Sequence, residues 1–262
     1  MLIMTKNIFS LEGKKAIVIG GGGGIGHAIA AGLSEAGACV SIASRSLERL
    51  KQAAAQIKES TGNTVHVYAC DVTDEAQVEK LAADYIRDNG HVDILVNSQG
   101  YNKKYPAREH PMDEWDMMFS VNVRSIMLCC KYFGRYMCER KYGRIINVGS
   151  IGAELSKLSD DSVGYSSTKG AVNSLSKSLA AGWAAHNITV NIIAPIITET
   201  EMMKPLFEKN PALKSGTIAR VPAGRLGQPE DAVPPAVFFA SDAASFTTGQ
   251  IIYIDGGMRL LQ

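Results

Sequence analysis

Short β-branched runs alternate along the chain with longer stretches of helical periodicity. The runs Lys15–Ile19, Cys39–Ala43, Thr64–Ala69, Ile94–Val96, Arg144–Val148, Thr189–Ile193 and Ile251–Ile254 predict strands. Between them, helical patterns fall near Gly26–Ala36, Leu47–Glu59, Glu75–Asp88, Met112–Lys141 and Tyr165–Ala185. That spacing suits crossover connections rather than hairpins, so the strands should lie parallel. The expected class is α/β: one domain over 1–262, doubly wound, with seven parallel strands and helices on both faces. From Ile126 to Phe133 the fourth helix reads IMLCCKYF, apolar almost all round. Such a helix predicts one face on the sheet and another on a second copy, hence a homo-oligomer, dimer or tetramer. The irregular stretch at about Pro195–Pro222 follows a strand end and is expected to form a substrate lid at the edge where ligands gather.

Composition narrows the function classes. With 46% hydrophobic residues, 20% charged residues and a formal net charge of +1, the chain reads as an ordinary globular protein. That balance gives nucleic acid no electrostatic foothold, and neither nucleic acid nor a membrane is an expected partner. The cysteines Cys39, Cys70, Cys129, Cys130 and Cys138 are odd in number and lack CxxC or Cys/His ligand spacing. They read as reduced core residues in a reducing compartment, with no metal site expected. Lys6, Asn7 and Glu12 interrupt the N-terminal segment before a signal-like stretch develops, and no run reaches bilayer length. A cytoplasmic location is the expectation.

The first predicted strand runs directly into Gly20, Gly21, Gly22, Gly23, Gly24, Ile25 and Gly26, and then into a helix. Glycines at a strand-to-helix turn let the backbone approach a pyrophosphate, whose charge is favoured by the N–H groups at the helix start. In such a unit an acidic residue commonly ends the second strand and holds the ribose hydroxyls. Here Ser44 stands in that place and Arg45 follows, so a 2′-phosphate would meet a guanidinium rather than a carboxylate. NADP(H) is therefore favoured over NAD(H), which stays open as the alternative. Farther on, Tyr165 and Lys169 in YSSTK are four apart at the start of a helical pattern and share one face. An ammonium beside a phenol favours phenolate, bringing the tyrosine closer to use as an acid or base near neutrality.

These segments together resemble the short-chain dehydrogenase/reductase family from about Leu11 to Gly257. The likeness rests on the loop ending Gly24-Ile25-Gly26, Asp71 in CDVT, Asn97 and Gly100 in NSQG, and Asn122 in SVNV. It extends through Ser150 in NVGS, the Tyr165/Lys169 pair, Pro195 with Thr200, and Asp255-Gly256-Gly257. The resemblance implies a Rossmann-type fold and an enzyme in which Tyr165 exchanges the substrate proton and Lys169 holds the nicotinamide ribose. Ser150 would bond the reacting oxygen, and Asn122 would help hold a water relay. It also implies that Asp71 and Val72 flank the adenine, that Asn97 supports the central sheet, and that Pro195, Thr198 and Thr200 border the nicotinamide side.

Departures from the family pattern are Ile19 in place of threonine, NSQG in place of NNAG, and Ile196 in place of the glycine after Pro195. The segment from Ser150 to Tyr165 also runs about one residue longer than the family's. The function expected is interconversion of a secondary alcohol and a ketone on a small molecule. The best reading is a sugar acid of the gluconate/ketogluconate kind or a polyol, with a 3-oxoacyl thioester reductase as alternative and a non-catalytic dinucleotide sensor or scaffold as a third. In Tyr101–Pro106, Lys103 and Lys104 have no acidic neighbour in sequence. They predict an anion site, with Asn102 and Glu154 bonding substrate hydroxyls.

Overall fold

The computed structural model of the chain describes residues 7–154, 160–201 and 203–260. The strands are β1 (Lys15–Ile19), β2 (Cys39–Ser44), β3 (His66–Ala69), β4 (Ile94–Asn97), β5 (Gly143–Val148), β6 (Ile188–Pro195) and β7 (Ile251–Ile254). They form one parallel sheet in the order β3-β2-β1-β4-β5-β6-β7. The helices are α1 (Gly24–Glu35), α2 (Leu47–Thr61), α3 (Glu75–Asn89), α4 (Met112–Phe119), α5 (Ser125–Arg140), α6 (Val163–Trp183), α7 (Lys204–Lys209), α8 (Pro211–Ile218) and α9 (Val233–Ala240).

Alternation along the buried strands sorts the core into two layers. Val18, Val40, Ile42, Val96, Ile146 and Ile193 pack with Ile29 and Leu33 of α1, Leu50 and Ile57 of α2, and Phe239 of α9. Their neighbours Ile17, Ile19, Leu95, Ile145 and Val190 face the other way, onto Tyr85 of α3, Phe133 and Met137 of α5, and Val172 of α6. This is the doubly wound, single-domain arrangement expected. Strand order reverses between β1 and β4, so the loops leaving β1, β4, β5 and β6 open toward one crevice at the carboxyl edge, where such sheets bind ligands.

Three element predictions need correction. The single helix at Met112–Lys141 is two helices joined by a π-helical turn, Ser120–Arg124. The stretch after Pro195 is not irregular but carries α7 and α8. Helix α9, in the sequence VPPAVFFA, escapes a pattern search because of its prolines, yet they fall in its first turn, where no intrahelical N–H is needed. The apolar surplus of α5 also has a different use. Ile126, Leu128, Cys129, Cys130, Phe133 and Met137 are all buried within this one chain, and only Met127 of the apolar run is exposed, at 40%. Those six side chains therefore serve this chain's own core.

Candidate active site

The turn from β1 into α1 is a cradle that side chains would destroy. Gly20 has φ +81°, and a Cβ there would stand 2.8 Å from the Gln99 amide nitrogen. A Cβ on Gly26 would stand 2.4 Å from the Gly20 carbonyl oxygen. The loop thus lies close against Ser98 and Gln99 just after β4, and its other side is clear, since a Cβ on Gly23 would meet nothing within 4 Å. Helix α1 has no side-chain cap and no acidic residue in its first turn, so the N–H groups of Gly24, Ile25 and Gly26 have no side chain competing for them. An open glycine surface ending in uncapped helix donors fits a pyrophosphate. Gly22 lies beside the Ser44 hydroxyl at the end of β2, and Gly24 beside the Thr200 side chain. Arg45 is exposed and forms no ion pair among the described residues.

Neighbouring loops complete the crevice. Asp71 Oδ1 accepts from Thr73 N at 3.0 Å and from the Thr73 hydroxyl at 2.7 Å, which folds the loop after β3, while the Val72 side chain is buried in the core. Asn97 is fully buried, and its amide donates to Asn147 Oδ1 at 2.8 Å across β4 and β5; Asn147 donates in turn to Ser176 Oγ at 2.8 Å. Asn97 thus ties sheet to helix from inside. Pro195 ends β6, and the buried Thr198 bonds the Ile196 carbonyl at 2.8 Å. Thr198 and Gly227 form an isolated parallel bridge that pins the two ends of the α7–α8 segment together. Two of the family departures have apolar explanations: Ile19 is fully buried in the core, and Ile196 packs with Ile151 and Val221.

Tyr165 and Lys169 lie in the first two turns of α6, and Tyr165 shares a hydrogen bond with the Ser150 side chain. Ser150 Oγ also accepts from Gly152 N at 3.0 Å, which fixes the bend after β5. Lys169 Nζ lies 5.7 Å from the Tyr165 ring centroid and donates to the Val148 carbonyl at 2.7 Å. Burial governs both groups. It pushes the Tyr165 phenol above its ordinary value, against the opposing Ser150 hydrogen bond, and pulls the Lys169 ammonium down to about 8. The sequence expectation of a lysine-lowered phenol is corrected accordingly, because the ammonium is aimed at a backbone carbonyl and desolvation outweighs its field.

Asn122 sits in the π-turn between α4 and α5, a distortion that aims its side chain out of the helical ladder. Its amide donates to the Tyr101 carbonyl at 2.8 Å and to Thr168 Oγ1 at 3.0 Å, and its Oδ1 accepts from Tyr101 N at 2.7 Å. Both amide protons are engaged, so the side chain of Asn122 acts here as a positioning residue. It fixes the loop after Gly100 against α6, a role that the sequence reading missed. Of the expected substrate residues, Asn102 is exposed on that loop. Lys103 and Lys104, expected to be free, are not: Lys103 pairs with Glu114, and Lys104 faces Asp161 at 3.5 Å. Glu154 is likewise engaged, by the Tyr253 hydroxyl and by Arg259 Nη1 at 3.1 Å. Of the segment from Ser150 to Tyr165, expected to run about one residue longer than the family's, 155–159 lie outside the described residues.

Comparison with known proteins agrees with this geometry. Residues 20–259 match the model of a family described as enoyl-(acyl carrier protein) reductase. The chain is 36% identical over 254 residues to gluconate 5-dehydrogenase of Gluconobacter oxydans, covering 97% of this chain and 98% of that protein. It is also 36% identical over 250 residues to galactitol 2-dehydrogenase of Rhizobium johnstonii, covering 95% and 96%. The crystal structure of a gluconate 5-dehydrogenase from Burkholderia cenocepacia in complex with NADP and tartrate superposes with a TM-score of 0.91 at 34% identity, over 97% of this chain and 98% of that one. Because the model runs from the glycine cradle past the last strand and the relatives match end to end, the chain belongs to the short-chain dehydrogenase/reductase family of oxidoreductases.

Proposed function

We propose that the protein is an NADP(H)-preferring oxidoreductase that interconverts a secondary alcohol and a ketone on a polyhydroxylated small molecule, a sugar acid or a polyol. The observation that carries this reading is the Tyr165 phenol bonded to Ser150, one helical turn from a buried lysine. A bound nicotinamide dinucleotide supplies the hydride donor or acceptor. The cradle Gly20–Gly26 and the α1 donors hold the pyrophosphate. Asp71 and Val72 flank the adenine, Lys169 bonds the ribose, and Pro195, Thr198 and Thr200 border the nicotinamide. Ser44 leaves room at the ribose 2′ position, and the exposed Arg45 guanidinium, without an ion-pair partner among the described residues, suits a phosphate there.

In reduction, Tyr165 Oη gives its proton to the carbonyl oxygen while the Ser150 hydroxyl stabilises the charge developing on it. In oxidation the proton returns along the same path. Burial keeps the phenol protonated at neutral pH, which favours the reductive role there and leaves oxidation to alkaline pH. The α7–α8 segment forms the lid. The reading includes a homo-oligomer, supported by the partly exposed edge strand β7 and by Phe246, which projects fully into solvent just before it. A panel of polyols, aldonates, their keto forms and 3-oxoacyl thioesters, followed at the nicotinamide absorbance band with NADP(H) and NAD(H), tests the proposal. Turnover of hydroxylated substrates with tighter NADP(H) binding is expected; activity confined to thioesters would overturn it.

A further inference from the structure

The NSQG departure from the family pattern is polar and buried. Where NNAG has alanine, this chain carries Gln99, whose amide side chain is only 8% exposed. The backbone here leaves β4 directly against the cofactor cradle. Ser98 N donates to the Ile19 carbonyl at 2.9 Å, and the Gln99 nitrogen is one of the atoms that exclude a Cβ from Gly20. The Gln99 side chain reaches α5, where Nε2 donates to Ser125 Oγ at 2.9 Å. Ser125 is fully buried and closes the π-turn. A regular α-helix would give the Ser125 N–H to the Val121 carbonyl, four residues back. Here that N–H goes to Ser120, five back, and the Ser125 hydroxyl bonds the Val121 carbonyl at 2.6 Å instead. With its one proton committed to Val121, the hydroxyl oxygen can only accept, and the Gln99 amide nitrogen is the donor it meets. Gln99 Oε1 has no hydrogen-bond partner among the described residues, so the donor end of the amide is the end the fold uses.

We infer that Gln99 is a positioning residue for the reaction, holding through Ser125 the π-turn that presents Asn122, an inference that rests on the oxidoreductase reading above. Val121 and Asn122 are adjacent, so the bond that fixes the Val121 carbonyl also fixes the direction in which the Asn122 side chain leaves the helix. Asn122 bonds both backbone groups of Tyr101 and the hydroxyl of Thr168, the residue before Lys169. Contacts therefore run from Gly20 through Gln99 and Ser125 to Asn122, and Tyr101, two residues after Gln99, closes them into a ring. Alanine at 99 would keep the backbone contact with the cradle and lose the link to the turn. Cofactor affinity should then be indifferent to this side chain, and the alignment of the groups around Asn122 should not.

Gln99→Ala, the size-matched Gln99→Met and Ser125→Ala, each in the purified full chain, separate the bond from the packing. Kinetics use the compound of the panel above that the parent turns over fastest, D-gluconate and galactitol included. Both Gln99 variants should lose about tenfold or more in kcat/KM for that compound, with the NADPH dissociation constant from fluorescence titration changed by less than about twofold. The double variant Gln99→Ala, Ser125→Ala should lose no more than the worse single one, because both remove the same bond. A readout free of turnover is amide hydrogen exchange followed by mass spectrometry: Gln99→Ala should speed exchange in peptides spanning the π-turn and leave those of β2 and α2 at the parent's rate. Gln99→Met at the parent's kcat/KM, additive losses in the double variant, or unchanged exchange at the π-turn would each overturn the inference and leave the oxidoreductase reading standing. A parent that turns over no compound of the panel would remove that reading and the inference with it, whatever the exchange pattern.

Discussion

Tyr165 and Lys169 are driven in opposite directions by one cause, loss of water around both. Replacing Tyr165 by phenylalanine removes the proton and little volume. Turnover should fall by about 10²–10⁴-fold while the cofactor dissociation constant, measured by fluorescence titration, stays within a factor of a few. Lys169 leaves a thermodynamic signature as well. Its folded-state value of about 8 lies below the ordinary lysine value near 10.5, a displacement worth roughly 3 kcal/mol. Burying the ammonium therefore costs most below pH about 8, and the cost fades as pH climbs toward 10.5. Urea unfolding of the parent and of Lys169→Met at pH 7 and pH 10 should show the parent gaining on the variant with rising pH; a constant gap would refute the burial argument. At the cofactor end, Arg45→Ala should weaken NADP(H) by about tenfold or more and NAD(H) little, and Ser44→Asp should move preference toward NAD(H). The Tyr/Lys spacing and the Ser44-Arg45 pair were legible because each is a local pattern. The pairing of Lys103 and Lys104 was not, because their partners lie 11 and 57 residues away and meet them only in the folded chain.

The π-turn at Ser120–Arg124 shows how an element can be read correctly and still mislead. Helical periodicity runs through Met112–Lys141, so a continuous helix was the natural reading; the one-residue widening that frees Asn122 leaves no trace in an apolar pattern. Removing the Asn122 amide strands the Tyr101 backbone and Thr168. Asn122→Ala should cost about 1–3 kcal/mol in chemical unfolding and raise KM for substrate more than KM for cofactor. A second tie comes from the chain's far end. Glu154, four residues beyond Ser150, is held by Tyr253 on β7 and by Arg259 just after it. Arg259→Lys should retain more activity than Arg259→Ala, because the ammonium keeps the charge contact but loses the guanidinium stacking on Tyr253. Equal losses in steady-state assays would mean that the ion pair with Glu154 contributes nothing to holding the Ser150 segment.

At the scale of the whole molecule the sequence pattern was most informative. Seven short strands with crossover spacing allow few arrangements, and the two-layer core follows from residues alternating along the buried central strands. What escaped was part of the covering of the sheet, α9 behind its prolines. The homo-oligomer proposed here should appear by light scattering, and Phe246→Asp should lower the mass if the β7 end forms the contact; an unchanged mass would move the interface elsewhere. The bridge between Thr198 and Gly227 has a consequence for how such a protein can change over generations. Glu199 N donates to the Gly227 carbonyl at 2.8 Å, so the excursion through α7 and α8 leaves and rejoins the body at a single closed neck. Lengthening a loop whose ends are fixed costs only about 0.6 kcal/mol per doubling. This stretch can therefore be exchanged or extended as a cassette, and new substrates acquired, while the cofactor cradle on the other side of the neck is inherited unaltered.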